Sequence, residues 1–144
     1  MKKIVVVFAF SVVASFAWAQ KTETWNALAK TKFEPKYSEK LGEYVFFPSF
    51  PAELKALDGK EVTIEGFYVP FGPDDGNYII LSKYPMSQCF FCGGGGPESI
   101  VEVYVPNGKF QPDDVLNVKG KLKLNADDPD HLTFMLQNAS VVTK

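Results

Sequence analysis

The sequence predicts a mainly β protein, a small five-stranded barrel preceded by a short helix and an aromatic lead-in segment. Three observations lead there. Five short stretches between residues 61 and 142 alternate apolar with polar side chains or run rich in valine and isoleucine, and clusters of Gly, Pro, Asn and Asp separate them. The alternation changes phase at Gly66 and again near Asn138, and Gly120 falls at an inward position, as sharply bent strands require. The chain has 144 residues, which suits one domain with its own core.

The order of the first residues predicts a secretory signal peptide over 1–19. Lys2 and Lys3 precede an apolar run from residue 4 to 16, and Ala17-Trp18-Ala19 forms an A-x-A cleavage site ahead of Gln20. The run is about 13 residues, too short to span a bilayer, and no stop-transfer pattern follows it. No cysteine adjoins the cleavage site, so lipid modification there has no acceptor. The expected product is a periplasmic or secreted protein with no integral membrane segment after cleavage.

Residues 20–56 are expected to form a helix and a lead-in segment, and residues 57–144 the barrel. Trp25, Leu28 and Ala29 have helical spacing, with Thr22 or Thr24 able to cap the start. Residues 33–57 mix aromatics with prolines without a steady period, which suggests a segment packed onto the barrel rather than a flexible linker, since linkers are poor in aromatics. The turn Leu57-Asp58-Gly59-Lys60 opens the first strand, residues 61–70, with Val62 and Ile64 on one face and a parity change at Gly66 that predicts a bulge or bend. A turn-rich stretch, residues 72–77, leads to the second strand at 78–84.

The third strand, residues 99–105, carries Val101, Val103 and Val105 on one face and closes in Pro106-Asn107-Gly108. In the fourth, residues 115–124, Leu116, Val118, Leu122 and Leu124 alternate with Asn117, Lys119, Lys121 and Lys123. The fifth, residues 131–142, points Leu132, Phe134 and Leu136 inward before changing parity near Asn138. Five bent strands favour a partly open barrel of the oligonucleotide/oligosaccharide-binding (OB) type over a sandwich.

The run from Leu57 through Asp58-Gly59-Lys60, Val62, Ile64 and Gly66-Phe67 to Pro70, followed by a strand, a Cys-containing Pro/Gly-rich loop and another strand, resembles an uncharacterised family of exported bacterial periplasmic proteins. Trp25 and Leu28 fit the family's opening, so the likeness spans most of the chain beyond residue 19. Many members carry Cys, one spacer and His in that loop, followed by prolines, where this chain has Cys89 and Cys92 followed by four glycines. The resemblance implies export and a metal-type site at the loop, and no known reaction.

Composition narrows the partners. The formal charge is −2, removal of residues 1–19 takes away two lysines, and there is no arginine, the side chain that best grips phosphate and guanine. Nucleic acid is therefore not an expected partner, whereas an unknown protein or a second copy of the chain is.

The candidate chemistry lies in one loop. Cys89 and Cys92 are the only cysteines, and three uses fit their spacing. Two thiolates can share a metal, zinc being the expected ion, with His131 as a possible nitrogen ligand and Met86 a further sulfur that would suit Cu(I). They can instead close a disulfide in an oxidising compartment, giving a structural or interaction module. A thiol redox enzyme is the third use, disfavoured because a strand rather than an activating helix follows the loop.

Gly93 to Gly96 lack the Gly-Lys-Ser/Thr continuation and the helix of a phosphate cradle. Asp127, Asp128 and Asp130, like Asp74 and Asp75, lack calcium-loop spacing and read as solvated turns. Lys119, Lys121 and Lys123 read as the wet face of a strand. No catalytic triad can be assembled around the single histidine by inspection, so binding is expected rather than catalysis.

Overall fold

Trp25 and Leu28 enter the interior from a short helix, α1 (residues 24–28), and the rest of the chain is built around strands. The structure, a computed structural model, describes residues 24–72, 77–106 and 108–142. The signal-peptide segment lies outside these, as do most of the 72–77 turn and Asn107. No helix among the described residues is long and apolar enough to cross a membrane.

Five strands close a barrel: β3 (Glu61–Val69), β4 (Ile79–Ser82), β5 (Ile100–Val103), β6 (Val115–Leu124) and β7 (Phe134–Val141). Their order around the barrel is β3-β4-β5-β7-β6, with β6 returning to β3; all neighbours are antiparallel except β5 and β7. This is an OB-like arrangement, and its strand order closes on itself where the sequence suggested a partly open barrel. A long first strand makes closure possible, because β3 pairs with β6 over Glu61 to Phe67 and with β4 over Phe67 to Val69. The core inside holds Ile64, Leu81, Val101, Val103, Val118, Leu122, Phe134 and Leu136, together with Trp25, Leu28 and Leu54 from the helical segments.

The bend predicted near Gly120 and Asn138 is present as a bulge. The pairing of β6 with β7 slips between Lys119 and Lys121, and Asn138 takes φ 50, a left-handed conformation asparagine tolerates better than most residues. A Cβ on Gly120 would lie 2.9 Å from that of Ala139, so the strands approach closely there. Of the bulge or bend predicted at Gly66, the bulge is absent: β3 keeps an unbroken register with β6 through that residue. Its phase change arises because β3 is covered on both faces, with Ile64 in the barrel core and Val69 in a second cluster outside it.

The lead-in segment also differs from expectation. Lys32–Ser38 (β1) and Glu43–Ser49 (β2) form a separate antiparallel hairpin, followed by a one-turn helix, α2 (Ala52–Lys55). The register sets Phe33 opposite Pro48, Pro35 opposite Phe46 and Tyr37 opposite Tyr44, so six apolar side chains share one face. Tyr37, Tyr44 and Phe46 are exposed on it, and the rings of Tyr37 and Tyr44 meet edge to face at 5.4 Å. The prolines that obscured the period also withhold amide donors from the hairpin's edges.

Candidate functional site

The cysteine loop leaves the sheet after β4 and rejoins it at β5, its base closed by Lys83 N–H donating to the Ser99 carbonyl at 2.9 Å. Three short 3-10 turns, Met86–Gln88, Phe90–Cys92 and Pro97–Ser99, fold it back on itself. The Met86 amide donates to Asp113 Oδ1 at 2.6 Å, tying the loop to the connection between β5 and β6. The Cys89 carbonyl accepts two amides, from Cys92 at 3.0 Å and from Gly94 at 3.1 Å. Glycine is required at two places: Gly93 takes φ 80, and a Cβ on Gly94 would lie 2.2 Å from the Gln88 carbonyl oxygen. The backbone thus fixes both cysteines on one tight turn.

Their surroundings differ. Cys89 is fully buried with Val69, Ile80 and Ile100, and Tyr78, Met86 and Leu132 pack against the same cluster. Cys92 is exposed, and both thiols are free. Desolvation, then the neighbouring Cys89 thiol, pushes the Cys92 thiol above its ordinary value. A thiol poised for exchange is shifted the other way, by a helix end or a nearby cation. Among the described residues no α-helix follows Cys92, and Gly93 turns the chain away in the left-handed conformation.

Ile80 and Ile100 lie on the outer side of β4 and β5, since their neighbours Leu81 and Val101 belong to the barrel core. That outer surface is the one on which OB barrels bind their ligands, flanked by the loops that here join β3 to β4 and β6 to β7. In this chain Cys89, Met86 and Leu132 cover part of it. Beside them an aromatic cap faces solvent: Phe71 and Phe91 stack at 4.7 Å, and Phe90 meets Phe91 at 5.5 Å.

His131 lies in the loop joining β6 to β7, where the sequence placed it near the start of the last strand. Its Nδ1 is 2.9 Å from Oε1 of Glu102, a carboxylate with no solvent exposure, while the imidazole side chain is 37% exposed. Glu102 also accepts the Tyr104 hydroxyl at Oε1 and the Leu132 amide at Oε2, the latter at 3.0 Å. A buried carboxylate is tolerable only with such partners. Desolvation, followed by the neighbouring Glu102 carboxylate, pushes the Tyr104 phenol well above its ordinary value. The Asn125 side chain shapes the loop, donating to the carbonyls of Asp128, His131 and Leu132 and accepting the amides of Asp127 and Asp128.

Cys89 and Cys92 therefore come together, and His131 joins Glu102 and Tyr104 instead. Among the described residues no three His, Cys, Asp or Glu side chains form a metal-holding group. A closed zinc centre takes four ligands, so the donors that the described residues bring to the pair do not fill one. Asp127, Asp128, Asp130, Lys119, Lys121 and Lys123 are all exposed. Sequence reading missed Glu102 and Tyr104, although the signal was present: Glu102 is a lone acid in the apolar run Ile100-Val101-Glu102-Val103. A carboxylate holding one imidazole nitrogen orients the other for proton transfer or ligation, but the Tyr104 hydroxyl is itself directed at Glu102.

Fold and site together define an OB-like barrel bearing a cysteine-loop cap. Comparison with protein-family models, curated proteins and solved structures finds no match.

Proposed function

We propose that this chain is an exported accessory protein that holds a transition metal on the Cys89–Cys92 pair and binds rather than catalyses. The observation that carries the reading is the pair of free cysteines held on one tight turn, where the Cys89 carbonyl accepts the amides of Cys92 and Gly94. Export is supported by the order Lys2-Lys3, apolar run, Ala17-Trp18-Ala19, and by the resemblance to periplasmic proteins with a cysteine loop. Zinc, the ion suggested by the C-x-x-C spacing, needs two more donors, which the same pair from a second copy could supply.

The same pair also supports a second reading, in which an oxidising compartment joins the sulfurs and the module works by protein interaction through the aromatic face of the hairpin. Native and denaturing mass spectrometry with and without reductant separates the two. Metal bound to the reduced chain, and lost in Cys92→Ser, supports the first. A metal-free chain two hydrogens lighter than its reduced form supports the second and sinks the first.

A further inference from the structure

We infer that the ion held by Cys89 and Cys92 is Cu(I), coordinated by the two sulfurs of one chain; this rests on the metal-holding reading above. The number of donors is the first argument. Zinc is stable in proteins with four ligands, and the described residues bring no third His, Cys, Asp or Glu to the pair. A soft monovalent d10 ion is satisfied by two thiolates in a near-linear arrangement, and thiolate and thioether donors select Cu(I).

The surroundings are the second argument. One sulfur sits in a cluster of Val69, Ile80 and Ile100, with the thioether-bearing Met86 packed against it. The carboxylate on the same outer face, Glu102, is already engaged by Tyr104, His131 and the Leu132 amide. That carboxylate is thus committed elsewhere, and an apolar wall shields the buried side of the pair. A site of this kind disfavours ions that keep water in their coordination shell.

The frame is the third. The Cys89 carbonyl holds the amides of Cys92 and Gly94, so the turn stands without metal. Binding then requires only that both thiols release their protons, two RSH and Cu(I) giving the anionic bis-thiolate complex and two protons, with no change of oxidation state. The apolar side leaves that single negative charge facing solvent at Cys92.

The test titrates the fully reduced protein with Cu(I), without oxygen, against a chromogenic Cu(I) chelator, and in parallel with Zn(II) against a zinc indicator. One Cu(I) per monomeric chain is expected, with an X-ray absorption spectrum showing only sulfur neighbours. Cys92 is exposed, so Cys92→Ser should keep its circular dichroism spectrum and lose stoichiometric Cu(I) binding. Tight Zn(II) binding that Cu(I) cannot displace, or one ion shared between two chains, overturns the Cu(I) assignment and leaves the metal-holding reading standing. A reduced chain that takes up neither ion overturns both.

Discussion

The indole nitrogen of Trp25 donates a 2.7 Å hydrogen bond to the Glu65 carbonyl, on a stretch of β3 that β4 does not reach. The Thr24 hydroxyl makes a similar bond to Thr63 at 3.2 Å. An open strand edge in the barrel wall is therefore closed by side chains of α1 rather than by another strand. Trp25 also covers Gly66, whose missing Cβ leaves 3.3 Å to the indole ring. Trp25→Ala is expected to destabilise the protein by about 3–5 kcal/mol in guanidinium unfolding. Trp25→Phe, which keeps most of the ring and loses the donor, should cost about 1 kcal/mol for the hydrogen bond plus a smaller packing term.

Glu102 gathers three donors from two segments, and its loss should be felt in both. Glu102→Gln retains the shape but replaces an acceptor-only group with an amide that cannot satisfy the same three partners. A destabilisation of roughly 1–3 kcal/mol is expected. The Leu132 amide, now bound to Oε2 at 3.0 Å, should exchange with solvent faster by NMR-detected hydrogen exchange. Unchanged exchange at Leu132 would show that the loop is held by its own Asn125 network alone.

Gly94 tests the rigidity of the cysteine turn. Its Cβ would overlap the Gln88 carbonyl at 2.2 Å, a contact with backbone that no rotamer change relieves. Gly94→Ala should displace the loop and cost about 1–3 kcal/mol. The sharper readout is chemical: Cys89, fully buried in the native loop, should become reactive toward a thiol reagent without global unfolding.

The Tyr104 phenol sets an alkaline limit on stability. In the unfolded chain it ionises near a pH of about 10, and in the fold desolvation and the Glu102 carboxylate hold its proton to higher pH. Its contribution is fully present below the unfolded value and is lost as pH rises from there toward the folded one, because above that point the native state binds more protons than the unfolded state. Unfolding followed across this range should show a decline that Tyr104→Phe reduces. Absorbance titration should show one of the six phenols still protonated where a free tyrosine is ionised.

How far the sequence revealed the fold depended on how many faces each strand buries. β6 was largely legible, since Leu116, Val118 and Leu122 face the core while Lys119, Lys121 and Lys123 face water, although Asn117, expected with the lysines, is buried. Gly120 and Asn138 marked a real bulge because Asn138 takes a left-handed conformation and the strands approach too closely at Gly120 to admit a Cβ easily. β3 misled because it is covered on both sides, and double burial erases the period that reveals a strand. The hairpin of β1 and β2 was hidden for the opposite reason: Tyr37, Tyr44 and Phe46 are exposed, so hydrophobicity there does not report burial.

The candidate site was legible where chemistry is local. Cys89 and Cys92 are near in sequence and meet on one turn. Glu102 and His131 are 29 residues apart and meet only because β5 lies beside β7, a pairing no local pattern encodes. That neighbour relation commits the imidazole to the Glu102 carboxylate instead of to the cysteines.

The place of β7 between β5 and β6 has a kinetic consequence. Until β7 arrives, β5 and β6 each have an open edge, and the parallel β5–β7 contact closes a long loop before it gains hydrogen bonds. β7 is thus the strand that completes the cylinder. Without it β5 and β6 remain open edges of an unfinished sheet, so the cylinder closes only when β7 docks between them.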